Sequence, residues 1–275
     1  MQINNNVQPY QSPYVDPSKA LERVSTGLAI NKAADNASAL SIADTLRTQS
    51  NGYVQAIENA NSAIASTQIA DKAISEQSNI LDTVKEKLLQ ASTATTSQEG
   101  RDALFKDIQK LMKGFDAIAS STSYNGESLL QASKTNQNAT TSQSYQIGTE
   151  SSNTIDTTSI QANSIGVGLN DLITKDSASF TASDAKDYLS KVDKAINTLN
   201  DYRSDLGSTQ NQLASSGRNL ITQEIQTRSA QTEISGANIA QEISNFNKQN
   251  VLSQVGTYTQ SQFNITQQTV LRLLT

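Results

Sequence analysis

Apolar residues recur at helical spacing over several stretches of the chain. Between residues 53 and 91, Val54, Ile57, Ile64, Ile74, Leu81, Val84 and Leu88 stand mostly three, four or seven apart. Ile57 to Ile64, and Ile74 to Leu81 to Leu88, are heptad steps with a three-residue slip between the two runs. As one helix this stretch spans roughly 58 Å at a rise of 1.5 Å per residue. Leu104, Ile108, Leu111, Phe115 and Ile118 then step 4, 3, 4, 3, the seam of a coiled coil. Ala185, Leu189, Val192, Ile196, Leu199, Leu206, Leu213 and Leu220 step 4, 3, 4, 3, 7, 7, 7, the longest regular seam in the chain. A last helical stretch carries Ile243, Phe246, Val251, Val255 and Tyr258, and runs through Val270, Leu271 and Leu274 to the end. Three seamed helices, at 53–91, 98–121 and 184–220, can bury their stripes only against one another. No period of 20 to 50 residues recurs, which argues against a solenoid.

The breaks between these stretches are legible too. Pro9, Pro13 and Pro17 all fall in the first 17 residues, so that segment is not one continuous helix. Asp16-Pro17 reads as a helix start, an N-cap acceptor followed by Pro at the first helical position. No proline follows, which permits very long helices. Thr96 to Glu99 offers a capping box, and Tyr124-Asn125-Gly126 is a turn signal. Residues 131–180 lose helical periodicity and turn rich in Ser, Thr, Asn and Gln, with strand-like pieces at Tyr145 to Ile147 and Ile155 to Ile160. This insert reads as a small β-hairpin element with polar loops. The expected fold class is mainly α, an elongated antiparallel helical bundle or coiled coil with that hairpin between its two halves.

Composition narrows the chemistry. Only 36% of residues are hydrophobic and 5% aromatic, with no Trp, fewer than a compact single-core domain of this length usually holds. A net charge of −5 does not enforce disorder, and the absence of basic clusters argues against nucleic acid as a partner. Cys and His are both absent, which removes thiol chemistry and the commonest general base and metal ligand. Glu58, Glu86 and Glu99 lie on polar helix faces, where carboxylates usually serve solvation. Gly166-Val167-Gly168 lacks the Lys and the following helix start of a phosphate loop, and reads as a turn. The expectation is no catalytic residue, no cofactor and no metal. No apolar run is long enough to span a membrane, and the first residues lack the basic start and apolar core of a cleaved secretory signal.

Residues 23–49, RVSTGLAINKAADNASALSIADTLRTQ, resemble the N-terminal signature of bacterial flagellins at Arg23, Gly27, Leu28, Ile30, Asn31, Ala34, Asp35, Ala37, Ala43, Leu46 and Gln49. DLGSTQNQLASSGRNL at 205–220, the terminal VLRLLT and TSYNGESLL at 122–130 resemble later blocks of the same family. Asn36 and Ala39 stand where the family has an acidic residue and a Gly, Gly217 interrupts a helix, and the stretch before Arg23 is short.

The resemblance implies a structural subunit that polymerises into an extracellular flagellar filament, exported unfolded without a cleaved signal. Two readings stand beside it: a hook–filament junction protein or non-polymerising secreted paralogue, and a secreted effector or adhesin. The family's layers imply residues 1–52 as an N-terminal export and D0 segment, and 53–130 as N-terminal D1 helices. They imply 131–180 as the hairpin insert, 181–230 as the C-terminal D1 helix and 231–275 as the C-terminal D0 helix. Phe246, Val251, Val255, Val270, Leu271 and Leu274 would then serve assembly. Implied partners are further copies of the chain, an export chaperone, and hook-associated and cap proteins. A weak Toll-like receptor contact is also implied. In strongly sensed members the receptor-contacting stretch reads Leu-Gln-Arg-Val-Arg-Glu-Leu-Ala. Here Asp82, Thr83, Glu86 and Lys87 occupy that stretch, in wording similar to flagellins of the Campylobacter and Helicobacter type. The family's O-linked sugars would fall on Thr135, Thr140, Thr141, Ser142 and Ser144.

Overall fold

The computed structural model describes residues 18–136 and 139–274. The expected helix start at Asp16-Pro17 and the other two prolines lie outside them. The described helices are α1 (Ser18–Thr26), α2 (Ala33–Ser92), α3 (Gln98–Ser121), α4 (Asp171–Thr174), α5 (Ala182–Ser235) and α6 (Ile239–Leu274). Strands β1 (Ser123–Tyr124) and β2 (Glu127–Ser128) form one antiparallel hairpin, and β3 (Ser144–Gln146) and β4 (Thr154–Asp156) a second. The described residues form two compact units, Asn51–Glu224 and, together, those from Ser18 to Ser50 and from Ile225 to Leu274.

In the central unit α2, α3 and α5 bundle around the main core, and a smaller cluster gathers Ala63, Ile155 and Leu213. Buried positions on α2 run Ala56, Ala60, Ala63, Thr67, Ala70, Ile74, Gln77, Leu81, Val84, Leu88 and Ala91, alternating steps of 4 and 3 throughout. The expected slip is absent. Ile57 and Ile64 are only half-buried beside a seam that small residues carry. The same displacement by one residue recurs on α3, where Phe105, Ile108, Met112, Phe115 and Ala119 are buried. Leu104, Leu111 and Ile118 flank that seam half-buried. On α5 the buried row is Ala185, Tyr188, Val192, Ala195, Leu199, Leu206, Thr209, Leu213 and Leu220, with Leu189 and Ile196 on its flank.

Ion pairs fix the direction of packing. Arg203 meets Asp71 at 2.9 Å and Lys85 meets Asp193 at 2.6 Å, so α2 and α5 run antiparallel. Lys87 meets Asp107 at 3.4 Å and Gln77 reaches Phe115, so α3 runs antiparallel to α2. Gln77, fully buried in the seam, donates from Nε2 to the Phe115 carbonyl at 3.1 Å and the Ala162 carbonyl at 2.6 Å. One side chain thereby ties α2 to α3 and to the insert. At the other end of the bundle, Phe180 stacks on Phe105 with ring centroids 4.2 Å apart.

Several local expectations shift. The N-cap of α3 is Ser97, which accepts from Gly100 N at 3.2 Å, while Thr96 donates to the Gln90 carbonyl at the end of α2. Both long helices extend past the stretches read from the sequence as 53–91 and 184–220, α2 starting at Ala33 and α5 ending at Ser235. Gly217 sits inside α5 without breaking it, since a single helical Gly costs only about 1 kcal/mol. Tyr124-Asn125-Gly126 does turn the chain: Asn125 (φ 51°) and Gly126 (φ 85°) give the left-handed pair that a two-residue hairpin needs. The second hairpin pairs Tyr145 with Ile155, and beyond β4 a single bridge, Thr141 to Ile160, replaces the longer strand expected there. This hairpin packs Ile155, Tyr145 and Ile147 onto Ala63, Ile64 and Leu213. Gly52 admits its turn closely, since a Cβ there would lie 2.6 Å from Thr149 Cγ2. The Gly166–Gly168 turn precedes α4, a single turn of helix that the sequence pattern did not suggest.

The displaced seam has a direct test. Phe105→Ala, losing a fully buried ring, is expected to cost about 3–5 kcal/mol in denaturant unfolding. Leu104→Ala, on the flank, should cost clearly less, and equal losses would return the seam to its first phase. Gln77→Ala should cost about 1–3 kcal/mol, because two buried carbonyls lose their donor.

The start of α5 predicts a pH dependence. Lys175, and then the amide and hydroxyl of Thr181, hold the Asp184 carboxyl below its usual 3.8. A lowered folded value means the contribution is complete above 3.8 and disappears as pH falls through the folded value. Melting curves of the unmodified chain and Asp184→Asn should differ by a constant amount from pH 8 to about pH 4.5, and converge in stronger acid.

Candidate assembly surface

The terminal unit is built differently from the central one. Among its described residues only Ala20 and Ala43 are buried apolar side chains. Its order rests on backbone and polar contacts. Helix α1 packs along α6, and Arg23 Nη1 lies 3.4 Å from Glu242 Oε1, whose side chain is only 13% exposed. The break after α1 and the break before α6 meet at one level. Ala29 N donates to the Ser235 carbonyl at 2.8 Å, and Ala237 N donates to the Gly27 carbonyl at 3.0 Å, bridging Leu28 to Gly236. Gly27 adopts φ 71°, and a Cβ on Gly236 would lie 2.4 Å from the Thr232 carbonyl oxygen. Asp35 accepts from the amides of Asn31 and Lys32, and these bonds, the Asn31 one foremost, lower its pKa from 3.8. Asn36, extended at φ −166°, caps the long run of α2 by accepting from Ala39 N at 3.1 Å. The residue that departs from the family's acidic position thus performs a capping role.

Helix α6 carries the apolar surface. Ile239, Ile243 and Phe246 step 4 and 3 along the turns nearest the break. Beyond them two stripes follow, Val251, Val255, Tyr258 and Ile265, and then Leu252, Phe263 and Val270. All seven of these residues are exposed, Val255 to 56% and Tyr258 to 71%. A helix apolar on more than one side is built for burial. Of the expected assembly residues, Val251, Val255 and Val270 lie on this surface and Phe246 is half-buried. The side chains of Leu271 and Leu274 lie outside the described ones. Gly27, Gly236 and Glu242 were not picked out from the sequence as a contact; the two glycines, each between helical patterns, were the available signal.

The remaining sequence candidates are dispersed. The residues of the three seams read from the sequence lie in the central bundle, where all but the exposed Val54 form its interior and its half-buried flanks. Glu58, Glu86 and Glu99 are exposed on three separate turns. A cleft of about 470 Å³ in the central unit is lined mainly by amides and hydroxyls, among them Tyr53, Asn153, Ser216, Asn219 and Gln223, together with the Glu150 carboxylate. Asp82, Thr83 and Glu86 are exposed on α2, and the Lys87 ammonium is drawn to Asp107. Thr135, Thr140, Ser142 and Ser144 are exposed, whereas Thr141 is half-buried and donates to the Ser128 carbonyl. No helix among the described residues is long and apolar enough to cross a membrane.

Comparison with known proteins accords with this layout. The bacterial flagellin N-terminal helical region matches residues 3–135, and the bacterial flagellin C-terminal helical region matches residues 189–274. Flagellin B of Helicobacter pylori is 41% identical over 212 residues, which cover 73% of this chain and 40% of that relative. The chain therefore spans about two fifths of that flagellin's length. The flagellar filament 31.3 kDa core protein of Treponema maltophilum is 29% identical over 94% of this chain and 92% of its own. The crystal structure of Bacillus cereus flagellin superposes with a TM-score of 0.50 at 25% identity, covering 59% of this chain and 88% of that one. With both helical halves matched in order around an unmatched hairpin insert, the chain belongs to the bacterial flagellin family.

Proposed function

We propose that this chain is a structural subunit that polymerises into an extracellular flagellar filament, with further copies of itself as its principal partner. The observation that carries this reading is a terminal unit without an apolar core of its own, bearing two exposed apolar stripes on α6. Such a surface is unfavourable in a free monomer and favours contact with neighbours. The name of the Treponema relative, a filament core protein that this chain matches over nearly its full length, supports the same reading. On it, the terminal unit corresponds to the family's D0 layer and the central unit to D1. Unfolded export without a cleaved signal, and handling by an export chaperone, hook-associated and cap proteins, come with it.

Deleting residues 245–275 tests the proposal. The truncated chain should remain a soluble, helical monomer with an unchanged melting transition for the central bundle, and should form no filaments by electron microscopy. Robust filaments from the truncated chain would overturn the reading.

We also infer that the chain engages the flagellin-sensing Toll-like receptor only weakly. Thr83 is exposed but turns its hydroxyl to the Asn79 carbonyl, offering no planar fork of donors where sensed members carry Arg. Lys87, at an apolar position of that stretch, would have to leave Asp107 and shed water to make the contact. Losing one such anchor commonly costs about 2 kcal/mol, or about thirtyfold in affinity. Receptor-reporter activation by purified monomer should therefore rise by at least that factor when Thr83→Arg and Lys87→Leu are combined. Equal potency of the two proteins would end the argument.

A further inference from the structure

A cleft of about 190 Å³ in the central unit opens between the second half of α3 and the chain around the insert. Helix α3 contributes Lys113, Asp116 and Ser120, which step 3 and 4 along one side. The chain leaving β2 contributes Gln131 and Lys134, and a third wall holds Asn163 and Ser164. Gln131, Asn163 and Ser164 are only 8%, 3% and 2% exposed, so their polar atoms have few partners to choose from.

Those partners fix which way each amide points. Gly166 N donates to Asn163 Oδ1 at 2.8 Å, and Asn163 Nδ2 donates to the Ser133 carbonyl at 2.9 Å. The same Nδ2 donates to Gln131 Oε1 at 3.1 Å. Turning either amide over would set a donor against a donor. The relay therefore ends on Gln131 Nε2, which donates to no group among the described residues while its side chain lines the cleft.

The charges point the same way. Lys113 and Lys134 are exposed, and neither takes part in an ion pair among the described residues. Asp116 is the carboxylate of the lining, and Ser164 engages both its oxygens, the amide on Oδ1 and the hydroxyl on Oδ2, each at 2.7 Å. The Ser120 hydroxyl donates to the Ala117 carbonyl at 3.1 Å. Two ammonium groups and one free amide donor thus remain, against a single carboxylate that is already satisfied.

We propose that this cleft binds a small oxyanion, a phosphate or carboxylate group, through Gln131 Nε2, Lys113 Nζ and Lys134 Nζ. Such a group offers several acceptor oxygens to donors arriving from two chain segments, and the lysines supply charge-assisted bonds. A bound anion would tie α3 to the chain after β2. In a chain of net charge −5 the attraction is local, so salt weakens it. The site is independent of the filament reading, since every group in it belongs to the central unit of one chain.

The test is a nuclear magnetic resonance titration of the isotope-labelled full chain, kept monomeric by dilution. Chloride is exchanged for inorganic phosphate, or for acetate, at constant ionic strength. The side-chain amide of Gln131 and the backbone amides of 131–134 and 163–164 should shift saturably. Saturation by phosphate alone assigns a phosphate group, by acetate alone a carboxylate, and by both an oxyanion of either kind. Lys113→Gln with Lys134→Gln should weaken binding about tenfold or more. The melting transition in chloride should stay unchanged, because neither lysine has a partner in the fold. Gln131→Glu keeps an acceptor for Asn163 but puts a carboxylate oxygen where the free N–H stood, and should abolish binding. No saturable shift with either anion would overturn the proposal. So would unchanged affinity in the double lysine variant or in Gln131→Glu.

Discussion

The central unit depends on an unbroken alternation of three and four residues between the inward positions of α2, α3 and α5. Such a seam lets every inward side chain sit between those of the facing helix. On α2 it continues from Ala56 to Ala91 because alanines, Thr67 and Gln77 occupy positions where larger residues are missing. Small seam residues let helices approach closely but bury little area each, so the main stabilisation comes from the end holding Phe105, Phe115, Phe180, Leu81 and Leu88. The other end relies on Leu213 and the second hairpin, whose Ile155 and Tyr145 cover what Ala63 leaves open. The insert is thus part of the bundle's packing rather than an appendage.

Gln77 adds a different kind of constraint. A row of alanines discriminates poorly between registers one heptad apart, since each offers the same small knob. An amide that must find the carbonyls of Phe115 and Ala162 does discriminate, because a shifted register leaves a buried donor and two acceptors unpaired. Helix α2 thereby holds both the weakest apolar packing in the bundle and the group that fixes its alignment.

Much of this was legible from spacing, and the displacements of the seams share one cause. Large apolar residues reveal that a helix has a stripe, but the centre of the stripe is set by every residue that the neighbouring helix covers. Ile57, Ile64, Leu104, Leu111 and Ile118 drew attention by size, yet Ala56, Ala63, Phe105, Met112 and Ala119 are the more deeply covered. The turn at Asn125-Gly126 was readable because left-handed backbone restricts residue choice sharply. The N-cap at Ser97 was off by one because Thr96 and Ser97 are chemically alike, and only the backbone path separates them. At the candidate surface the apolar residues of α6 stood out in the sequence. The bridge from Leu28 to Gly236 could not, since main-chain groups recognise each other there without a side-chain signature.

The scarcity of buried apolar area around α1 and α6 has a thermodynamic consequence. The central bundle carries its own core, so its stability belongs to a single molecule and is independent of dilution. In the terminal unit two main-chain hydrogen bonds join the break after α1 to the break before α6, and one ion pair ties the two packed helices, against the conformational entropy of some eighty ordered residues. If copies of the chain supply the missing surface, the order of this unit is linked to their association and scales with the logarithm of their concentration. One polypeptide then contains two segments under different laws, one folding by composition and the other by mass action.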